Sequence, residues 1–106
     1  MLSIEAEAIH KLVVACDAGM GSSVMLASQL RRDLRKTAVT VEHHAVSAIP
    51  VDADVVLCHA GLAARVRQAA PRSVVVGFRI FLGDPGVARV VAAIKQGGRI
   101  DSTAGG

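Results

Sequence analysis

The sequence predicts a single three-layer α/β domain, one buried parallel sheet with helices on both faces, and three observations lead there. The runs Leu12-Val13-Val14-Ala15, Asp54-Val55-Val56-Leu57-Cys58 and Ser73-Val74-Val75-Val76-Gly77 are nearly all apolar, as strands covered on both faces are. Segments of helical period follow each of them. Hydrophobic residues make up 52% of the 106, yet Phe78 and Phe81 are the only aromatics, so the core is aliphatic. A chain of this length sustains one such core and not two.

Residues 1–10 carry no periodic signal and read as a lead-in. The domain proper is expected over 11–96, with a frayed tail over 97–106. Lys11 to Ala15 is the first strand. From Ser22 to Lys36, Leu26, Leu30 and Leu34 recur on one face with Ala27 beside them, while Gln29, Arg31, Arg32, Asp33 and Arg35 take the other. Thr37 to His44 reads as the second strand, with Val39 and Val41 alternating against Thr40 and Glu42. The link Ala45 to Ala53 holds Pro50 and is close to the shortest crossover a parallel pair allows, so it has room for one short turn.

The third strand, Asp54 to Cys58, leads into a helix from Gly61 to Ala70 that Pro71 ends. Ser73 to Gly77 is the fourth strand, and Phe78 to Gly83 an apolar loop. Asp84 as N-cap and Pro85 at the first helical position open the last helix, whose Val87, Val90, Val91 and Ile94 fall on one stripe. Right-handed crossovers running to both sides of the first strand give a four-stranded sheet of order 2-1-3-4. The binding crevice of such a sheet lies at the carboxyl ends of strands one and three, where Cys16 and Cys58-His59 fall.

The net charge of +3 is modest, and its one concentration, Arg31, Arg32, Arg35 and Lys36, sits at a helix end where cations suit the dipole. Without aromatic stacking platforms, nucleic-acid binding has no support. Two cysteines make no disulfide framework, the opening residues lack a signal-peptide pattern, and the apolar runs are too short to insert in a membrane. The expectation is a cytoplasmic, monomeric domain. His10, His43 and His44 show no ligand spacing with a cysteine, so neither a metal nor another cofactor is expected.

The chemistry concentrates after the first strand, in Cys16-Asp17-Ala18-Gly19-Met20-Gly21-Ser22-Ser23. A thiol stands where strand becomes loop, and the loop opens a helix. Unpaired N–H groups and the dipole at a helix N-terminus favour an anion, and the same field favours a thiolate. Nucleophile and phosphate cradle thus share one loop, with the cysteine attacking and Asp17 to Ser23 supplying N–H groups; Ser22 and Ser23 can add hydroxyls. The Asp17 carboxylate would repel a phosphoryl group and is expected to turn away onto loop amides. Met20 is either a tip contact for a partner or a core anchor.

Other glycine motifs fit less well. A Walker A loop needs a lysine that Gly21-Ser22-Ser23 lacks, and Val24 takes the third glycine position of a dinucleotide fingerprint. A cysteine phosphatase or arsenate-reductase loop follows C-x5-R, and the position of its arginine clamp is Ser22. A cradle without that charge holds a phosphoryl group but activates it less toward water. Relay to a docked acceptor is favoured over hydrolysis.

The run Val14 to Ser23 resembles the phosphorylation loop of the enzyme IIB component of the bacterial phosphoenolpyruvate-dependent sugar phosphotransferase system, mannitol-type. The likeness continues through Asp52 to His59 and Phe81-Leu82, covering roughly residues 11 to 95. It implies a flavodoxin-like, Rossmann-like sheet in which Cys16 accepts a phosphoryl group from a histidine of a IIA protein. The group then passes to a sugar or sugar alcohol bound by the membrane protein IIC, with the domain peripheral to the inner face of the membrane. A IIB-like regulatory or sensor domain without sugar transfer is the alternative. Family members often carry a histidine at His59, an auxiliary to the phosphothiol or a hydrogen-bonded strand end. Cys58 departs from the family pattern; it is an inert buried thiol or the partner of Cys16 in an oxidation-sensitive disulfide.

Overall fold

Alternation along the strands sorts the aliphatic residues onto the two faces of one sheet. Leu12, Val14, Val55, Leu57, Val74 and Val76 belong to one cluster, and Val13, Ala15, Val56, Cys58 and Val75 to another. The computed structural model describes residues 2–17, 22–80 and 83–102. Their elements are β1 (Ser3–Glu5), β2 (Lys11–Cys16), α1 (Ser22–Asp33), β3 (Thr40–Ala45), β4 (Val55–His59), α2 (Ala63–Ala69), β5 (Val74–Phe78), α3 (Pro85–Gln96) and β6 (Arg99–Asp101), with 3-10 turns at Ala6–Ala8, Val46–Ala48 and Ala60–Leu62.

The main sheet has four parallel strands in the order β3-β2-β4-β5. This is the expected 2-1-3-4 arrangement, with the chain leaving β2 to one side through α1 and returning across it to β4. Helices α1 and α3 cover the face of the first cluster through Leu26, Leu30, Val87 and Val90. Helix α2 and the turn at Val46–Ala48 cover the other through Val46, Ala63 and Val66. Residues Leu12 to Ala15 and Val55 to Cys58 are no more than 1% exposed, so β2 and β4 form the axis of the core. Each such aliphatic side chain contributes roughly 1.5–3 kcal/mol by leaving water.

Element ends differ from expectation where side chains intervene. Helix α1 stops at Asp33 rather than Lys36, because the Thr37 hydroxyl donates to the Leu34 carbonyl at 2.6 Å and accepts from the Val39 N–H at 3.2 Å. That turn also delays the second strand to Thr40. Before α2, the ring of His59 accepts from the Gly61 N–H at 3.1 Å and tightens Ala60–Leu62 into a 3-10 turn. Helix α3 begins and ends as read, with Asp84 its N-cap and Gly97 turning out at φ +79°.

The sequence shows no strand in the lead-in or the tail. In the structure β1 and β6 pair antiparallel, with Ile4 opposite Ile100. Ile100 is buried in the α1/α3 cluster and Ile4 packs against it. Three-residue strands with one inward residue each leave no periodic trace. Ser102 follows and its hydroxyl accepts from the Val75 N–H at 3.1 Å, covering part of the β5 edge. Residues 103–106 lie outside the described residues.

Gly77 marks a close approach of backbone to backbone. A Cβ there would lie 3.1 Å from the Ala60 Cα. Gly77→Ala is therefore expected to cost about 1–3 kcal/mol in urea unfolding, since β5 or the turn leading to α2 must shift.

Among the described residues no helix is long and apolar enough to cross a membrane.

Candidate functional site

Cys16 is the last residue of β2 and is half-buried, at the carboxyl end of the strand with neighbours on both sides. Its strand pairs with β3 as far as Cys16 and Ala45, whereas the pairing with β4 ends at Val14 and Leu57. The chain goes to β3 on one side and to β4 on the other, so Cys16 stands at the switch point where an open α/β sheet forms its crevice.

Among the described residues the sulfur meets a polar side chain to which the sequence alone gives no role. Cys16 Sγ and His43 Nε2 are 3.4 Å apart, within hydrogen-bond range for sulfur. His43 lies opposite Val14 in register, two residues below the level of Cys16 and on the same face. The signal was present: Val41 is inward on that face, and alternation puts His43 there too. What the sequence lacked was the register that brings this position alongside Cys16.

Asp17 meets a cation, while the amides of residues 18–21 onto which it is expected to turn lie outside the described residues. Its Oδ1 accepts from the Arg65 guanidinium at 3.1 Å, an exposed pair that screens the carboxylate. Ala18, Gly19, Met20 and Gly21 lie outside the described residues, and with them the choice between the two readings of Met20. Ser22 opens α1, and Ser23 in its first turn is buried. Phe81 and Leu82 also lie outside the described residues.

His59 ends β4 and is exposed. Its Nδ1 accepts from the Gly61 N–H, which puts the proton of the neutral ring on Nε2. Its edge stands against Phe78, centroids 6.3 Å apart at 84°. These are the contacts of a hydrogen-bonded strand end, and they leave the auxiliary reading to be proposed. Register places His59 at the same end of the sheet as Cys16, with Leu57 and Val14 aligned below them.

Cys58 belongs elsewhere. It packs with Val13, Ala15 and Val56 on the α2 face, whereas alternation turns Cys16 to the face of α1. A disulfide between them would have to pass through the sheet, so the oxidation-switch reading is set aside; both thiols are free. Burial pushes the Cys58 thiol up to about 11, with the charge of Arg67 pulling the other way. Iodoacetamide at pH about 8 is accordingly expected to alkylate Cys16 and leave Cys58 untouched until the protein unfolds, read by peptide mass.

The loop after β5 is tied down by one carboxylate. Asp84 is buried, its Oδ1 accepting from the N–H groups of Gly86 and Val87 at 2.7 and 3.3 Å and its Oδ2 from those of Arg79 and Ile80 at 2.9 and 3.2 Å. Burial alone would raise this carboxyl, but the four N–H donors outweigh it and hold the group below the ordinary range. A separate groove of about 340 Å³ runs between α1 and α3, lined by Leu26, Leu30, Val87 and Val91 with Asp33 and Lys95 at its sides. It does not reach Cys16. Among the described residues no cluster of His, Cys, Asp and Glu could hold a metal ion.

Fold and site together define a class: an α/β domain that presents a cysteine at the switch point of a parallel sheet, where a helix-opening loop begins. Residues 11–93 match the family described as "PTS system, Lactose/Cellobiose specific IIB subunit", and the chain belongs to that family of phosphotransferase-system IIB domains. It is 36% identical over 90 residues to the mannitol-specific EIICB component of Geobacillus stearothermophilus, covering 83% of this chain and 19% of that protein. To the mannitol-specific cryptic EIICB component of Escherichia coli K12 it is 38% identical over 79 residues, 73% of this chain and 17% of the other. To the mannitol-specific EIICBA component of Vibrio cholerae it is 41% identical over 76 residues, 70% of this chain and 12% of the other. The chain thus spans less than a fifth of the length of each of these relatives.

Proposed function

We propose that this domain is a phosphoryl carrier that holds the group on Cys16, taking it from a phosphohistidine of a IIA protein and handing it to a sugar or sugar alcohol bound by a membrane IIC protein. The observation that carries the reading is the position of Cys16: a partly accessible thiol at the carboxyl end of the central parallel strand, with the first turn of α1 opening at Ser22. The names of the relatives, mannitol-specific EIICB and EIICBA components, support a IIC and a IIA partner and a sugar-alcohol class of acceptor.

In the accepting step the sulfur attacks phosphorus, the Sγ–P bond forms, and the donor's N–P bond breaks with its electron pair going to the imidazole nitrogen. The thiol proton leaves the sulfur for a neighbouring base or solvent, and the freed donor nitrogen takes a proton from solvent. N–H groups of Asp17 to Ser23 surround the phosphoryl oxygens, and the Asp17 carboxylate is kept from repelling them by its pairing with Arg65. No arginine follows Cys16 at the phosphatase spacing, so water remains a poor acceptor. The domain works at the inner membrane face through its IIC partner, with His59 shaping the crevice beside the phosphothiol.

The test is incubation with phosphoenolpyruvate, the general phosphotransferase proteins and a panel of IIA proteins. The expected result is one phosphate on the Cys16 peptide, released when membranes bearing a mannitol-type IIC protein and its sugar alcohol are added. Absence of label with every IIA protein, or label on another residue, overturns the proposal. Stable label that no IIC protein discharges replaces it with a sensor role.

A further inference from the structure

We infer that His43 is the group that takes the proton from Cys16 when the sulfur becomes nucleophilic, and that the resulting imidazolium supplies the positive charge the loop otherwise lacks. The inference rests on the phosphoryl-carrier reading of Cys16 for its purpose, though not for its test. The starting point is the 3.4 Å separation of Cys16 Sγ and His43 Nε2, held by two adjacent parallel strands rather than by a loop. Neutral imidazole with Nε2 unprotonated accepts the S–H proton; the products are a thiolate and an imidazolium in contact. When the Sγ–P bond forms, the charge on the sulfur is spent and the imidazolium remains beside the phosphoryl group. When an acceptor hydroxyl gives its proton to solvent and its oxygen takes phosphorus, the S–P bond breaks, the pair returns to sulfur, and the His43 imidazolium stabilises the departing thiolate and gives its proton back.

Among the described residues little else around His43 competes for this part. On β2 the inward residues below Cys16 are Leu12 and Val14. From α1, Arg31 is engaged through its Nε, which donates to the Val41 carbonyl at 3.0 Å; Arg32 is exposed, and Asp33 lines the groove toward α3. The turn Val46–Ala48 has no titratable side chain. Glu42 and His44, next to His43 in the chain, alternate to the opposite face, where His44 Nε2 meets Glu42 Oε1 at 2.7 Å and Lys11 meets Glu42 and Asp52. Asp17 is engaged by Arg65.

The test needs no partner protein. Cys16 alkylation by iodoacetamide is timed by peptide mass in the wild type, His43→Gln and His43→Asn, near neutral pH and near pH 10. Both amides can bond the sulfur, but neither can take its proton. The expected result is alkylation about tenfold slower in both variants near neutral pH, with rates converging near pH 10, where hydroxide replaces the histidine as the base. Equal rates for variants and wild type at neutral pH overturn the inference, as does slowing of equal size at both pH values, which marks a structural role. Failure here leaves the carrier reading standing, because label on Cys16 in the phosphorylation assay is a separate measurement.

Discussion

Replacing Cys16 by serine is expected to abolish phosphoryl acceptance, lowering the rate of labelling from phosphoenolpyruvate through IIA by roughly ten-thousand-fold or more, while the unfolding transition stays where it is. In the proposed chemistry the thiolate is the nucleophile, and a serine hydroxyl at the end of β2 is far harder to ionise. Nothing in the core depends on the sulfur: Cys16 is half-buried and outside both apolar clusters. Rapid quench with labelled phosphoenolpyruvate gives the rate, and urea unfolding gives the control. Labelling of Cys16→Ser at the wild-type rate would remove the cysteine from the mechanism.

Asp84→Ala carries the largest expected effect on stability, a loss of about 2–4 kcal/mol at pH 7, combining a lost N-cap with N–H groups left without a charged acceptor. For a domain of this size that lowers the melting temperature by roughly 10–20 °C. The pH dependence follows from the direction of the shift. The folded carboxyl is held below its unfolded value by four N–H donors, so its contribution is complete above the ordinary carboxylate range of about 4 and is lost as pH falls through the lower folded value. The stability gap between wild type and Asp84→Ala is therefore expected to narrow from pH 7 to about pH 3, read by urea unfolding at both. A gap that stays constant would show that the ionised carboxylate is not what holds this loop. The same substitution bears on the site, because Asp84 fixes the chain at Arg79 and Ile80, just before Phe81 and Leu82.

The fold was legible because its signals are local. Strands β2, β4 and β5 are buried on both faces and wrote themselves as unbroken Val, Leu and Ala; helix α3 announced its start with Asp84-Pro85 and its end with Gly97. The misjudged ends were those set by single side chains, Thr37 stopping α1 and the His59 ring tightening the entry to α2. The β1–β6 ribbon was illegible because its two strands are nearly a hundred residues apart and each contributes one isoleucine.

For the site, the sequence by itself singled out the candidate nucleophile, the loop before the helix and the absence of an arginine clamp, since all three lie within eight consecutive residues. Only the tertiary structure decided which groups surround that nucleophile. His43 is 27 residues away, Arg65 is 48 from Asp17, and Cys58 falls behind the sheet although its strand is the neighbour of β2. The physical reason is register. A parallel pair leaves side chains at a given height only when both strands start at the right level, and a slip of one residue sends every side chain to the other face. The spacing of a motif along the chain carries no trace of that choice; the packing of Val41, Val14 and Leu57 into one cluster makes it.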